Sequence, residues 1–309
     1  MKIQMIMNSS PGSNYSECFE KALVERLAHA LVGIERTSHP EEATEIARRT
    51  ASGSADTIVV VGGDGTVNAV LNGILGTKLA LGVIPAGSAN DLASLYHIPS
   101  EVGKACDVIM GRSIHHADLI CVNGWYYITA GGLGLGCEIA RVANTLRRYR
   151  MGRPAGRLLR SKLYLLMALY VLLKNGAHSE KLEVRLNGHS LSADTFSLLV
   201  NNQSFLGKHF LVSPGAINDD GLFDVCLIRS GRSLTRMLPA LIKVLAGRHL
   251  DSPYVMTWRA TELIVRAGKP LCFFGDGEIH QESSEFRIRI APQALDIIVP
   301  EFYGRSCQC

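Results

Sequence analysis

The sequence predicts a two-domain protein in which a doubly wound α/β domain is followed by a β-rich domain. Apolar runs alternate with helix-like stretches as far as about Ile109, which is the pattern of a parallel sheet covered by helices on both faces. Beyond Arg112 strand patterns dominate, and Asn123-Gly124 and Asn187-Gly188 are strong signals for two-residue hairpins. A length of 309 residues, 47% of them apolar, is sufficient for two cores.

The first domain is predicted as a regular alternation of strands and helices. Each strand is a short apolar run, and turn residues separate it from the next amphipathic stretch. In such a sheet, ligands bind at the carboxyl ends of the strands. The predicted strands are Met1 to Met7, Ile34 to Thr37, Ile58 to Val61 and Leu79 to Pro85, and the predicted helices include Glu17 to Leu31 and Pro40 to Thr50.

The second domain is predicted as antiparallel, because short strands follow one another with turns between them. Each Asn-Gly pair supplies residues that accept the positive φ of a tight hairpin turn. The predicted strands are Ser113 to Val122, Trp125 to Ala130, Lys181 to Leu186, Leu191 to Val200, Leu222 to Ile228, Met256 to Arg266 and Phe286 to Ile290.

Two glycine-containing loops stand at the ends of neighbouring predicted strands. One is Gly62-Gly63-Asp64-Gly65-Thr66, and the other is Ala86-Gly87-Ser88-Ala89-Asn90-Asp91. Glycine accepts positive φ and lets backbone N–H groups approach a bulky anion, and the start of the following helix favours phosphate. We therefore expect both loops to face one phosphate-bearing ligand.

The first loop differs from the common nucleotide-binding motifs. No G-x-x-x-x-G-K-[ST] occurs anywhere in the chain, so the loop is not a P-loop. The dinucleotide fingerprint fails as well, because Asn68 stands where its third glycine is required. Asp64 would repel a bare phosphate, so we expect Mg²⁺, a ribose or a backbone donor beside its carboxylate.

Together the two loops resemble the catalytic domain of diacylglycerol kinases and of their soluble bacterial lipid-kinase relatives. The resemblance covers nearly the whole chain and implies an NAD kinase/diacylglycerol kinase-like α/β domain followed by a β-sandwich. It implies a nucleotide-binding kinase domain at 1–122 and a lipid-substrate and metal domain at 123–291, with 292–309 packing back on the first. The nucleotide-binding residues that it implies are Asn8, Gly12, Thr37, Gly62, Gly63, Asp64, Gly65, Thr66, Val67, Asn68 and Ser88.

The resemblance also implies the reaction, which is transfer of the γ-phosphoryl group of ATP, with Mg²⁺, to a lipid hydroxyl in a cleft between the domains. Diacylglycerol is the default substrate, and phosphatidylglycerol, a sphingoid base, ceramide and a polyprenol stay open. Glu278 is implied as the proton acceptor and Asp64 as the residue that manages Mg²⁺, while Asp276 either helps a second metal or orients the site. The alternative for Asp276-Gly277 is an ordinary hairpin turn.

A third motif is Asp219-Asp220-Gly221, which alone would be a common turn. In the family that the chain resembles, a similar segment holds a structural Mg²⁺. The ligands implied here are the carboxylate of Asp220 and the backbone carbonyls of Ile217 and Leu222, with water completing the shell.

The stretch from Ile139 to Ser179 contains no Asp or Glu and many basic residues, among them Arg141 and Lys174. Its apolar run, Leu163 to Leu173, is too short to span a bilayer, which takes about 20 residues. Two interpretations stay open, which are a core helix with a solvated basic entrance and a transient contact with an anionic membrane surface.

Composition bears on which partners the protein binds and on where in the cell it works. A net charge of +4 gives no argument for nucleic acid. The eight cysteines lack C-x-x-C spacing, which favours reduced thiols, although Cys307 and Cys309 are either a frayed tail or a soft-metal or redox pair. The apolar stretch after Lys2 is too short for a signal peptide. We expect a cytoplasmic protein that reaches the inner face of the membrane peripherally, with its oligomeric state open.

Two rival functions remain. NAD kinases share the G-G-D-G-T loop, but they resemble one another in an Asn-Glu pair, and that dipeptide is absent from this sequence. The other rival is a catalytically silent lipid-binding regulatory protein on the same scaffold. The joint presence of Asp64, Asp220 and Glu278 favours the enzyme.

Overall fold

The computed structural model describes residues 1–9, 17–87, 89–149, 170–171, 179–206, 210–230, 243, 248–249 and 252–303. The chain divides into two compact units, one formed by Met1–Ala117 with Gln293–Cys309 and the other by Asp118–Pro292. The boundary predicted at residue 122 falls at the end of strand β5 (Ser113–Val122), and the first unit ends within that strand.

The first unit is built on a parallel sheet. Its two central strands are buried at every position, as expected for continuous apolar runs that are covered on both faces. Next to β4 lies the last stretch of β15 (Glu278–Val299), whose Ile297 pairs in parallel with Leu81, and β15 in turn pairs with β5. The spatial order is β2 (Leu31–Thr37), β1 (Ile3–Asn8), β3 (Thr57–Gly62), β4 (Ala80–Pro85) and β15.

Helices cover this sheet in two groups. On one face, α1 (Glu17–Leu27) and α5 (Val102–Gly111) share an apolar core with the strands. Elsewhere α2 (Pro40–Ala51) packs against α3 (Asp64–Ile74), and the pair approaches so closely that a Cβ on Gly73 would lie 2.6 Å from the Ala47 side chain. A short helix, α4 (Asp91–Leu95), follows β4. The predicted doubly wound arrangement is confirmed.

The second unit is an antiparallel β structure with one described long helix. Both predicted Asn-Gly hairpins are present, with positive φ at both turn residues, and they join Val122 to Trp125 and Leu186 to His189. Its elements are β6 (Trp125–Tyr127), β7 (Ala130–Gly134), α6 (Leu135–Tyr149), β8 (Glu180–Leu186), β9 (His189–Asn201), β10 (Phe205–Leu206), β11 (Phe210–Leu211), β12 (Phe223–Arg229), β13 (Val255–Ala260), β14 (Glu262–Gly275) and the first part of β15.

The main strands of the second unit lie in the order β13, β12, β9, β7, β14 and β15, with β8 pairing to β9 and β14. Two apolar clusters fill it. One contains Tyr127, Phe273 and Phe286, and the other contains Cys137, Phe274 and Cys226. Because Phe273 and Phe274 are consecutive on β14, this strand separates the two clusters.

Several predicted boundaries are wrong. The first helix ends at Leu27, because Leu31 already pairs with Ile3 in the sheet. The stretch predicted as one strand, Met256 to Arg266, is two strands, since β13 pairs with β12 whereas β14 pairs with β15. Helix α6 was not predicted, because glycines at its start and the strand patterns around it hid its apolar face.

Most of the basic segment predicted at 139–179, including nearly all of its apolar run, lies outside the described residues. Cys307 and Cys309 also lie outside them. Within the part of the chain that the structure describes, no helix combines the length and the apolar character needed to cross a membrane.

Candidate functional site

The predicted nucleotide residues of the first unit gather at the carboxyl ends of its parallel strands. Asn8 ends β1 and Thr37 ends β2, and the two residues pair directly in the sheet. Gly62 ends β3 and pairs with Pro85 at the end of β4. This is the edge where parallel α/β sheets bind ligands. Gly12 and Ser88 lie outside the described residues.

The two glycine loops touch each other through their backbones. The Ala86 N–H donates to the Gly62 carbonyl at 2.9 Å. A Cβ placed on Gly87 would lie 2.3 Å from the Gly63 Cα, a distance that no real side chain tolerates. Glycine is therefore required at this crossing because no room is left for a Cβ.

Asp64 connects the second loop to the first. Its Oδ1 accepts hydrogen bonds from the N–H groups of Asp91 at 2.7 Å and Leu92 at 3.4 Å, which are the first amides of α4. Burial raises the pKa of Asp64, and the surrounding backbone N–H groups oppose that shift. Of the three partners expected for this carboxylate, the structure supplies the backbone donor. Its predicted role at a metal stays a prediction.

We expect Asp64→Ala to destabilise the fold more than Asp64→Asn. Alanine leaves the two amides without their acceptor, which costs about 1–3 kcal/mol in the free energy of unfolding, whereas asparagine retains an acceptor oxygen. Denaturant unfolding of both variants measures the difference. Equal stability of the two variants would contradict the capping role.

The side chains of other predicted residues at this edge form hydrogen bonds within the protein. The Asn8 side chain donates from Nδ2 to Thr66 Oγ1 at 3.0 Å, which links β1 to α3. The Thr37 hydroxyl donates to the His39 carbonyl at 2.7 Å and lies 2.9 Å from the Glu42 carboxylate. Thr37 thus organises the start of α2.

Asn90 belongs to this edge and was missing from the predicted site. It has a left-handed φ of 51°, and its side chain accepts from the Gly87 N–H and donates to the Gly87 carbonyl. Asparagine adopts left-handed φ more readily than most residues, and this preference could have indicated a turn at Asn90 from the sequence. A small hollow is lined by residues of both loops and of the strands and helices next to them, namely Gly62, Gly63, Asp64, Val67, Val83, Pro85, Asn90, Leu92 and Ala93.

In the second unit, Asp276 and Gly277 form the turn between β14 and β15. Both have positive φ, 50° and 78°, and Gly275 pairs with Glu278 across them. The Asp276 carboxylate accepts from the Thr129 N–H at 2.8 Å and hydroxyl at 2.6 Å, and also from the Ile128 N–H. Asp276-Gly277 therefore forms a hairpin turn, which was the alternative prediction, and the Asp276 carboxylate holds this turn against Ile128 and Thr129. Participation of Asp276 in chemistry stays a prediction.

Glu278 projects on the face of the hairpin that carries an aromatic wall. Directly paired residues point to the same face, and a Cβ on Gly275 would meet Trp125 at 2.6 Å. His280, two residues beyond Glu278, stacks on Trp125 with ring centroids 4.0 Å apart, and burial lowers the pKa of that histidine. A half-buried carboxylate beside apolar rings is a suitable place for proton transfer from an alcohol.

The Asp219-Asp220-Gly221 turn is held by charges from the protein itself. Asp220 accepts from the Leu222 N–H at 3.1 Å and forms an ion pair with Arg259. The buried Asp118 accepts from the Gly221 N–H at 2.6 Å. Ile217, the third predicted metal residue, has an exposed side chain.

The donor set at this turn does not fit Mg²⁺ in this arrangement. The guanidinium of Arg259 already supplies positive charge to Asp220, so an ion and Arg259 would compete for one carboxylate. A separate finding is that no group of three His, Cys, Asp or Glu side chains is placed to hold a metal among the described residues. The predicted ligation by Ile217, Asp220 and Leu222 stays a prediction, and no catalytic step is derived from it.

Asp224 makes stability depend on pH. Burial raises its pKa to about 6, although Arg259 opposes the shift. Since the unfolded carboxyl titrates near 3.8, its contribution to stability is fully present below that value and is lost as the pH rises through about 6. We expect the melting temperature of Asp224→Asn, relative to the parent protein, to rise between pH 4 and pH 7. A constant difference across this range would contradict the assignment.

Comparison with known proteins identifies the family of the chain. A family model described as the diacylglycerol kinase catalytic domain matches residues 2–122, and one described as the YegS C-terminal NAD kinase beta sandwich-like domain matches residues 134–299. The chain belongs to the diacylglycerol kinase family. The glycine loops lie in the first matched region, and the hairpin with Glu278 lies in the second.

Named members of the diacylglycerol kinase family match most of the chain. The diacylglycerol kinase of Bacillus subtilis (strain 168) is 27% identical over 263 residues, covering 84% of this chain and 81% of that protein. A protein of Pectobacterium atrosepticum named "Probable lipid kinase YegS-like" is 27% identical over 251 residues, covering 80% of this chain and 79% of its own length.

Solved structures support the same fold. A diacylglycerol kinase from Bacillus anthracis str. Sterne superposes with a TM-score of 0.72 at 18% identity, covering 98% of each chain. An NAD kinase from Archaeoglobus fulgidus in complex with ATP gives a TM-score of 0.54 at 12% identity, covering 99% of this chain and 96% of that one. The predicted fold class is confirmed. As a member of the diacylglycerol kinase family, the chain is a lipid kinase, a phosphotransferase with an alcohol acceptor, which confirms the predicted family and reaction type.

Proposed function

We propose that the chain transfers the γ-phosphoryl group of ATP to the hydroxyl of a lipid alcohol, with diacylglycerol as the first candidate, giving phosphatidic acid. The observation that carries the proposal is the backbone contact between Gly63 and Gly87 at the carboxyl edge of the parallel sheet. A crossing without side chains lets a bulky anion come close to the backbone of the first loop, as a nucleotide phosphate requires.

The donor is held by the first unit. Helix α3 begins at Asp64, and the first amides of any helix have no intrahelical acceptor and carry partial positive charge. They can therefore bind phosphate oxygens. Asp64 sits beside them with its Oδ1 engaged by α4, so its contribution to nucleotide binding is to keep the second loop in place.

The acceptor is activated in the second unit. Glu278 takes the proton of the lipid hydroxyl on its carboxylate as the bond to phosphorus forms, which suits a weak base in a reaction of this type. The lowered pKa of His280 keeps that imidazole neutral near pH 7, so it adds no competing charge beside the carboxylate. Trp125 gives the lipid backbone an apolar surface.

Mg²⁺ accompanies the nucleotide in this proposal and, when bound, neutralises charge on the transferred phosphate. The acceptor lies in a bilayer, so the enzyme must contact a membrane surface, and the basic segment 141–174 is proposed for that contact with anionic lipid. We propose a cytoplasmic enzyme bound peripherally to the inner face of the membrane.

The function is tested by transfer of labelled phosphate from ATP, with Mg²⁺, to lipid alcohols in mixed micelles, with NAD as a second acceptor. Phosphorylation of diacylglycerol or of another lipid alcohol supports the proposal and identifies the substrate. Product from NAD alone would overturn it in favour of an NAD kinase. Absence of product with every acceptor would leave a binding protein.

A further inference from the structure

Two free cysteines of the second unit are brought together from distant parts of the sequence. Cys137 lies in the first turn of α6, and Cys272 lies on β14. The Cys137 thiol donates to the Cys272 carbonyl oxygen at 2.7 Å. The two cysteines are thus direct neighbours, and each thiol affects the pKa of the other.

A cation stands beside one member of this pair. Arg141, one helical turn after Cys137, donates from Nη2 to the Cys272 sulfur at 3.2 Å and to the Glu282 carboxylate at 3.0 Å. The hydrogen bond from Cys137 and then the Arg141 guanidinium lower the pKa of the Cys272 thiol, against the effect of burial. The neighbouring Cys272 thiol and burial raise the pKa of Cys137.

Cys226, a third cysteine of the same cluster, does not have the lowered pKa of Cys272. It lies in the same apolar cluster, but burial alone raises its pKa to about 12. A thiolate is the reactive form of cysteine, and a nearby cation with a neighbouring thiol is the setting in which buried cysteines become reactive. Cys226 is therefore an internal reference for a thiol of the same cluster that is 1% exposed and whose pKa is shifted by burial alone.

We propose that Cys272 is a site of oxidation by small hydroperoxides and that Cys137 is its resolving cysteine. The Cys272 thiolate attacks one oxygen of the hydroperoxide and forms a sulfur–oxygen bond, while the oxygen–oxygen bond breaks and hydroxide or alkoxide leaves. The Cys137 sulfur then attacks the sulfenic acid, its proton leaves with the hydroxyl as water, and a disulfide remains.

The position of the pair gives the oxidant a route. Cys272 retains 9% of its surface exposed, and the Arg141 side chain beside it is 47% exposed, so a molecule of the size of hydrogen peroxide approaches from that side. The new bond would join the first turn of α6 to β14, the strand that runs on into the Asp276-Gly277 turn.

The test treats the full native chain, carrying Cys307→Ser and Cys309→Ser to remove the terminal pair, with hydrogen peroxide, followed by alkylation, digestion and mass spectrometry. We expect a peptide pair linked through Cys137 and Cys272, while Cys226 stays alkylated. Oxidation of Cys272 no faster than that of Cys226, or linkage of Cys272 to any other cysteine, would overturn the proposal.

Two variants separate reactivity from folding. In Cys137→Ser, the sulfenic acid of Cys272 should accumulate and be captured by dimedone, and its absence would overturn the resolving role. Arg141→Gln is a change at a half-exposed position. At pH 5, below the Cys272 pKa of about 6, it should slow the loss of the Cys272 thiol about tenfold, because raising the pKa by about one unit lowers the thiolate fraction about tenfold there. An unchanged rate would refute activation by Arg141.

Discussion

Glu278→Gln is expected to lower the turnover of lipid phosphorylation by about 10³-fold, which is within the range that positioned general bases contribute. Glutamine has the same shape but cannot take the proton of the acceptor hydroxyl. The residue pairs with Gly275 on the face of the hairpin that carries Trp125 and His280, and it is partly buried, so a substitution of the same shape preserves its packing. Steady-state rates with saturating lipid and ATP measure the effect.

The control for this variant is Glu262→Gln, because Glu262 is a glutamate on β14 that is ion-paired with Arg289 at the surface. Its activity should stay close to that of the parent protein, since exposed pairs contribute little. ATP binding by Glu278→Gln, measured calorimetrically, should also be unchanged. Retention of more than a tenth of the parent turnover in Glu278→Gln would refute the role of this carboxylate.

Gly87→Ala is expected to damage the nucleotide site without touching any catalytic side chain. The new Cβ would lie 2.3 Å from the Gly63 Cα and 2.8 Å from Asn90 Oδ1, so the two loops must separate. We expect a loss of about 1–3 kcal/mol in the free energy of unfolding, as for overpacked cores. ATP affinity should fall about tenfold or more, because each 1.4 kcal/mol of lost binding free energy is about a factor of ten.

The matched control is Gly268→Ala. A Cβ at Gly268 would have nothing within 4 Å, and its φ lies outside the left-handed region, so the same chemical change meets no obstacle there. Gly268→Ala should bind ATP like the parent protein. Equal ATP affinities of the two variants would show that the crossing of the loops does not determine nucleotide binding.

Features set by neighbouring residues were predictable from the sequence. The glycine loops after β3 and β4, and the Asn-Gly hairpins, depend on backbone preferences that a few residues determine. The turn at Asp276-Gly277 could be predicted in the same way. The sequence also predicted that Asn8 and Thr37 lie at the carboxyl edge of the parallel sheet. The family resemblance rested on these local patterns.

Features set by contacts between distant residues were not predictable. The partner of the Asp276 carboxylate, Thr129, is separated from it by 147 positions, and the Arg259 that holds Asp220 is 39 positions away. No spacing rule connects such residues, because the fold alone brings them together. The same applies to Asp64, which was expected near a ligand and instead accepts the first amides of α4.

Strand β15 has a consequence for the order in which the chain can fold. Its 22 residues begin in the second unit and end in the first, where Ile297 provides the neighbour of β4. During synthesis, the parallel sheet therefore cannot add this strand beside β4 until the chain has been made as far as about residue 299. Until then the hydrogen-bonding edge of β4 is open, and such edges recruit other chains. A nascent chain that stalled before this strand would expose the edge of β4, and we expect chaperones to bind it.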